Sequence, residues 1–198
     1  VLFRSHTLER FEQMPEVGTV VVVAREAELE RCRQLCAEYG LAKVCRIVPG
    51  GAERQDSVYL GLQALNTEWV LIHDAVRPFV QPEHIRACID AAMQTGAAVL
   101  AVPVVDTIKQ VDERGRIAAT PDRRSLWAIQ TPQAFRRLDL LEAHRAAAAC
   151  GFVGTDDSML AERLGIPVQV VEGAYSNRKL TTPDDLAWAE FWIQRQRA

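Results

Sequence analysis

The sequence predicts an α/β fold built on a doubly wound, mainly parallel sheet, and three observations carry that expectation. Short apolar runs rich in β-branched residues alternate with longer stretches whose apolar positions recur at helical spacing. The runs are apolar at consecutive positions, the pattern of strands covered on both faces. Glycine and proline mark the boundaries, and strand, helix, strand repeated in this order implies right-handed crossovers between parallel strands.

Taken in order, residues 6–11 (HTLERF) read as helix, as though the chain enters the middle of a domain. Residues 17–24 (VGTVVVVA) are a near-continuous β-branched strand. Residues 26–39 place Leu29, Cys32, Leu35, Cys36 and Tyr39 on one helical stripe, which Gly40 ends. A strand over 44–48 stops at Pro49, Gly50 and Gly51, a helix covers 53–65, and a strand covers 69–72. Pro82 opens the next helix and Gly96 closes it, ahead of a strand over 97–104. Residues 106–132 break the rhythm. There 107–111 and 116–119 flank a turn with Gly115, a hairpin too polar for the middle of a sheet, so 106–132 is read as a projecting arm. Helices over 138–149 and 158–164, a strand over 167–171 and a terminal helix from Pro183 to residue 195 complete the chain. No repeat or linker interrupts it, so residues 1–198 read as one domain with one arm.

With 48% apolar residues among 198, the chain suits one sizeable core. A net charge of −3 without a lysine and arginine run argues against nucleic acid or an anionic membrane as partner. The longest apolar stretches fall far short of the ~18 residues that span a bilayer, and none reads as a signal peptide. The five cysteines show no CxxC spacing and read as small apolar thiols in a reducing cytoplasm. The four histidines likewise lack metal-ligand spacing.

Polar clusters fall where strands end, which in an open α/β sheet is the ligand crevice. After residue 72 come His73, Asp74 and Arg77. An acid and a guanidinium three residues apart suit a metal-bound or phosphorylated ligand, or else a loop cap with a surface arginine. Gly50 to Ser57 precedes a helix, whose N-terminal N–H groups and dipole favour an anion or base edge, although an ordinary turn explains it about as well. Further clusters are Pro103 to Lys109, Asp122 to Arg124, Gln130 to Gln133, Gly154 to Ser158 and Ser176 to Thr181. Thr155 reads equally as an N-cap, and Lys179 as an exposed lysine. Several clusters on successive loops point to one ligand crevice more strongly than any does alone.

The segments GGAERQDSVYLGL, WVLIHDAVRPF, VPVVDTIK, LWAIQTPQAF, GTDDSMLAERLG and NRKLTTPDDL, in this order, closely resemble the successive motifs of the 2-C-methyl-D-erythritol 4-phosphate cytidylyltransferase family. The resemblance runs from about His6 to the C-terminus. It implies a Rossmann-like nucleotidyltransferase that transfers CMP from CTP to 2-C-methyl-D-erythritol 4-phosphate and releases pyrophosphate, in non-mevalonate isoprenoid precursor synthesis. It places Gly50, Gly51, Ala52 and Ser57 at the cytidine, and Asp74 and Arg77 near a metal and the substrate phosphate. Asp74 is the expected metal ligand, with Mg2+ neutralising the triphosphate. Thr107, Thr131 and Thr155 are implied substrate contacts. Arg123 and Lys179 are the implied catalytic pair that orients the attacking phosphate, Arg123 reaching over from a homodimer partner through the arm. Such a transfer is governed by positioning and charge stabilisation.

Two departures from the family pattern stand out. The family opens with a strand and a glycine-rich loop, roughly Ala-Ala-Gly-x-Gly-x-Arg-Met followed by a Lys, that cradles the triphosphate, and no such segment occurs in this sequence. The chain is therefore expected to lack a central strand, to expose apolar surface where it would lie, and to be inactive alone. Ala52 stands where some members carry an acid, which puts one side-chain contact to the base in doubt. Two other readings share the scaffold: a ribitol-5-phosphate cytidylyltransferase, and a non-catalytic nucleotide-binding relative. Against the second, Asp74, Arg77, Arg123 and Lys179 are all retained.

Overall fold

The computed structural model describes residues 2–197. In chain order the elements are α1 (Leu2–Glu12), β1 (Val20–Ala24), a 3-10 turn leading into α2 (Leu29–Glu38), β2 (Val44–Pro49), α3 (Arg54–Gln63), β3 (Trp69–Ile72) and α4 (Pro82–Thr95). Then follow β4 (Ala97–Pro103), β5 (Gln110–Val111), β6 (Ile117–Ala119), β7 (Trp127–Arg136), α5 (Arg137–Ala149), α6 (Asp157–Arg163), β8 (Gln169–Glu172) and α7 (Pro183–Arg197). Helix α4 shows why such elements stop where they do. Pro82 supplies no N–H and none is needed in the first turn, and Gly96 closes the helix at φ +97°, a conformation glycine adopts without strain.

The main sheet has the order β3-β7-β4-β8. Strand β7 is antiparallel to both β3 and β4, and β4 is parallel to β8, so β3, β4 and β8 share one direction and β7 alone opposes it. Strand β4 lies at the heart of the core. Its Ala98 and Leu100 face Phe11, Ile85 and Ala92, while Ala97 and Val99 face Leu62, Leu140 and Ala161. Helices therefore cover both faces of the sheet, as the runs of consecutive apolar residues imply.

The expected arm needs redrawing. The hairpin closes between β5 and β6 alone, whereas residues 127–136, expected in part within the arm, form the long β7 inside the sheet. Polar residues masked that strand. Gln130 and Gln133 are buried, and Gln130 Nε2 donates to the Ala174 carbonyl while Gln133 Nε2 donates to Asp156, at 2.9 Å each. Burial of an amide costs little once it is paired. Pro132 fits because the pairing with β4 skips from Val99–Gln133 to Ala101–Ile129, a bulge where its missing N–H breaks no ladder bond.

Strands β1 and β2 form a separate parallel pair. Among the described residues β1 is hydrogen-bonded only to β2, and β3 only to β7, so each presents an unpaired edge. Val20 to Val23 and Trp69 to Ile72 line an apolar slot of about 550 Å³ between them. Phe11 and Ile89 line one side of it, and Val58, Gly61 and Leu62 the other. Arg54, Ser57, His73 and Asp74 also line it, so the slot opens onto the carboxyl end of β3.

Candidate functional site

The carboxyl end of β3 is locked by a relay of hydrogen bonds. The Asp74 N–H donates to Thr131 Oγ1 at 3.0 Å, Thr131 Oγ1 lies 3.1 Å from His73 Nδ1, and His73 Nε2 lies 3.1 Å from the Arg77 carbonyl oxygen. A carbonyl only accepts, so Nε2 carries the proton and Nδ1 accepts from the threonine hydroxyl. Loss of hydration lowers the His73 pKa from 6.5 to about 4, which keeps the ring neutral and this tautomer in place.

Three cations surround the Asp74 carboxylate. Lys179 Nζ lies 3.2 Å away, Arg54 Nε 3.4 Å and Arg77 Nε 3.6 Å. Burial pushes the carboxyl pKa up, but Arg54, Lys179 and Arg77 outweigh it and hold it below the ordinary aspartate value. Each cation is placed by its own element. Arg54 opens α3, and Arg77 donates from Nη1 to the Asn177 carbonyl at 2.8 Å. Lys179 sits on a loop stitched down by fully buried Asn177, whose Nδ2 donates to Gln130 Oε1 and to the Thr131 carbonyl. That loop is closed by Leu180 N–H donating to the Val76 carbonyl.

Asp74, Arg77, Thr131, Thr155 and Lys179 thus meet on one cavity of about 260 Å³. Thr131 is buried with its hydroxyl engaged in the relay, and Thr155 is exposed beside the first turn of α6. The cap of α6 is Asp156, not Thr155. Asp156 Oδ1 accepts from the Met159 N–H at 2.9 Å, and Oδ2 accepts from Ser158 Oγ and Gln133 Nε2.

The remaining expected residues lie elsewhere within this chain. Gly50, Gly51 and Ala52 form the turn between β2 and α3, where a side chain at Gly51 would collide with Asp56. The Gly51 N–H donates to Ser57 Oγ at 3.1 Å, and Ser57 lines the slot. Thr107 is exposed at the base of the arm. Arg123 is exposed too, and its Nη1 donates to the Val105 carbonyl at 2.6 Å. Neither lines the cavity. Arg54, Gln130, Gln133 and Asp156 line it without having been singled out, although all four stand inside the quoted motifs. A guanidinium in the first turn of a helix that follows a strand was the available signal for Arg54.

Chemically, this is a charged cleft lined by two carboxylates, Asp74 and Asp156, with Arg54, Arg77 and Lys179 gathered on the first. Among the described residues no three His, Cys, Asp or Glu side chains gather as a metal cage. Mg2+ commonly uses one or two carboxylates and takes its other ligands from phosphates and water. Of the two carboxylates on the cavity, Asp156 spends both oxygens in the cap of α6, which leaves Asp74 as the group that could act in that mode.

Comparison with known proteins agrees with these motifs. Residues 2–195 match the model of the family described as "IspD: 2-C-methyl-D-erythritol 4-phosphate cytidylyltransferase". The 2-C-methyl-D-erythritol 4-phosphate cytidylyltransferase of Bacillus velezensis is 52% identical over 187 residues, 93% of this chain and 80% of that protein. Its counterpart in Geobacillus kaustophilus is 51% identical over 185 residues, 93% of this chain and 81% of that one. The crystal structure of 4-diphosphocytidyl-2C-methyl-D-erythritol synthase from Anaerococcus prevotii superposes with a TM-score of 0.90 at 33% identity, covering 97% of this chain and 86% of its own.

Proposed function

As a chain that belongs to the 2-C-methyl-D-erythritol 4-phosphate cytidylyltransferase family, we propose, this protein transfers CMP from CTP to 2-C-methyl-D-erythritol 4-phosphate and releases pyrophosphate. The observation that carries the reading is the convergence of Arg54, Arg77 and Lys179 on Asp74 at one polar cavity. A phosphate oxygen of the polyol attacks the α-phosphorus of CTP in line, and the pyrophosphate leaves from the opposite side. Arg77 offers a fork of donors for the acceptor phosphate, and Lys179 a mobile point charge. The Gly50–Ser57 turn would receive the cytosine, its small residues allowing close approach of the base. Thr107 and Thr155 stand on loops where a polyol hydroxyl can be met. Asp74 would hold Mg2+, which supplies charge neutralisation to the triphosphate when bound.

Arg123 serves a second copy of the chain in this reading. Its place at the root of the arm, outside its own cavity, supports that role. So do the exposed Val111 and Ile117 on the hairpin, 61% and 64% accessible, which a partner subunit would cover. The slot between β1 and β3 has the lining to seat one more apolar strand, and it opens beside Arg54 and Asp74. Two unpaired edges facing one another support this. Among the described residues no helix is long and apolar enough to cross a membrane. The five free thiols fit a cytoplasmic enzyme.

The test is a pyrophosphate-release assay on the complete gene product, supplied with CTP, Mg2+ and either methylerythritol 4-phosphate or ribitol 5-phosphate. Turnover with methylerythritol 4-phosphate at least tenfold above the ribitol rate is expected. Equal rates, or preference for ribitol 5-phosphate, would overturn the substrate assignment.

A further inference from the structure

Behind the cavity lies a buried polar chain that the reaction scheme above leaves without a task. Arg54 reaches in two directions from the first turn of α3. Its Nε faces Asp74 Oδ1 at 3.4 Å, and its Nη1 donates to Asp157 Oδ2 at 2.8 Å. Asp157 is only 1% exposed and lies in the first turn of α6. Its other oxygen sits 3.3 Å from Nε2 of His144 on α5, a buried ring, with neither atom in hydrogen-bonding geometry. Three helices on one face of the sheet are thus joined to the end of β3 through one guanidinium.

We propose that Arg54 is a positioning residue for Asp74, clamped by Asp157 so that the Asp74 carboxylate keeps a fixed charge partner when Lys179 is drawn to substrate. The inference rests on the reading of the cavity as the acceptor-phosphate site. An incoming phosphate dianion competes with Asp74 for Lys179. Lys179 is 44% exposed on a flexible stem and is free to turn. Arg54 is not, because its departure would leave the buried Asp157 carboxylate without its hydrogen-bonded charge partner. The Lys179 contact to Asp74 is therefore exchangeable, whereas Arg77, 12% exposed and tied to the Asn177 carbonyl, and Arg54, tied to Asp157, stay in place. Bridging two carboxylates needs two N–H vectors in a fixed plane, which a guanidinium has and an ammonium lacks. Charge alone at position 54 will not suffice.

The inference is tested on the complete gene product with Arg54→Lys, Asp157→Asn, Asp74→Asn and the double variant Arg54→Lys/Asp74→Asn. Steady-state kinetics, thermal unfolding and calorimetric binding of methylerythritol 4-phosphate are measured for each. Arg54→Lys should lower kcat roughly ten- to hundredfold, with KM for CTP within about twofold of wild type. In the Asp74→Asn background the same change should cost less than about twofold, since a residue acting through Asp74 has nothing left to position. The same non-additivity is expected in the affinity for methylerythritol 4-phosphate, which is measurable where turnover is too slow. If Asp157→Asn fails to fold, Arg54→Lys carries the test alone. Wild-type kcat in folded Arg54→Lys, or an equal loss with and without Asp74, overturns the inference and leaves the substrate assignment standing. A wild-type protein that does not use methylerythritol 4-phosphate removes both.

Discussion

His73 shows how one side chain can hold a site without touching a ligand. Neutral, it accepts from Thr131 and donates to the Arg77 carbonyl, tying β7 to the loop that carries Asp74 and Arg77. Its folded pKa of about 4 lies below the unfolded value of 6.5, so between these values the unfolded chain binds more protons. The stabilisation is complete above pH 6.5 and is lost as pH falls toward 4, up to about 3 kcal/mol from this group. Denaturant midpoints across pH 4–7 should fall less steeply for His73→Gln than for wild type, and parallel curves would contradict the assignment. Arg123→Ala and Lys179→Ala, made in the complete enzyme, should each lower turnover roughly a hundredfold or more while leaving CTP binding largely intact. Loss of CTP binding with turnover spared at saturation would show that these cations serve the nucleotide.

At the scale of the element, the arm and β7 behave oppositely. The β5–β6 hairpin is two short strands with exposed Val111 and Ile117, too small to be stable on polar edges alone. Packing against a second copy would cover that surface and carry Arg123 to the partner's cleft. Sedimentation should then report a dimer, and mixing Arg123→Ala with Lys179→Ala subunits should restore part of the activity that each lacks. A fully active monomer, or mixtures that stay inactive, would sink the shared site. Strand β7, by contrast, is settled within one chain, because Gln130, Thr131 and Gln133 find buried partners on β8's following loop, the β3 loop and α6.

The whole molecule is organised around a break in its sheet. Strand β4 is buried along six of its seven residues, whereas all five residues of β1 remain half-buried although four are valine. The slot between β1 and β3 leaves apolar surface and backbone polar groups in water, a cost that one more strand would remove. A strand seated in that slot should raise the thermal midpoint of the chain, and a midpoint left unchanged would contradict this reading.

The strand and helix order was written in the sequence wherever local rules decide it. The runs around Val20, Trp69 and Ala97 are apolar at consecutive positions, and Gly40 and Gly96 take positive φ where helices end. The loops that carry Asp74, Arg77, Thr155 and Lys179 stood out as polar clusters following strands, where an open α/β sheet binds ligands, and they meet on one cavity. Tertiary structure alone decided the rest. Strand β7 looked like part of an arm because its polarity is satisfied only by residues far along the chain. The link from Arg54 to Asp157 spans 103 positions, and the gathering of three cations on Asp74 joins residues 54 to 179, separations over which no periodicity or spacing carries information. Local sequence chooses the element, and which distant side chains share its buried charge is settled only when the sheet assembles.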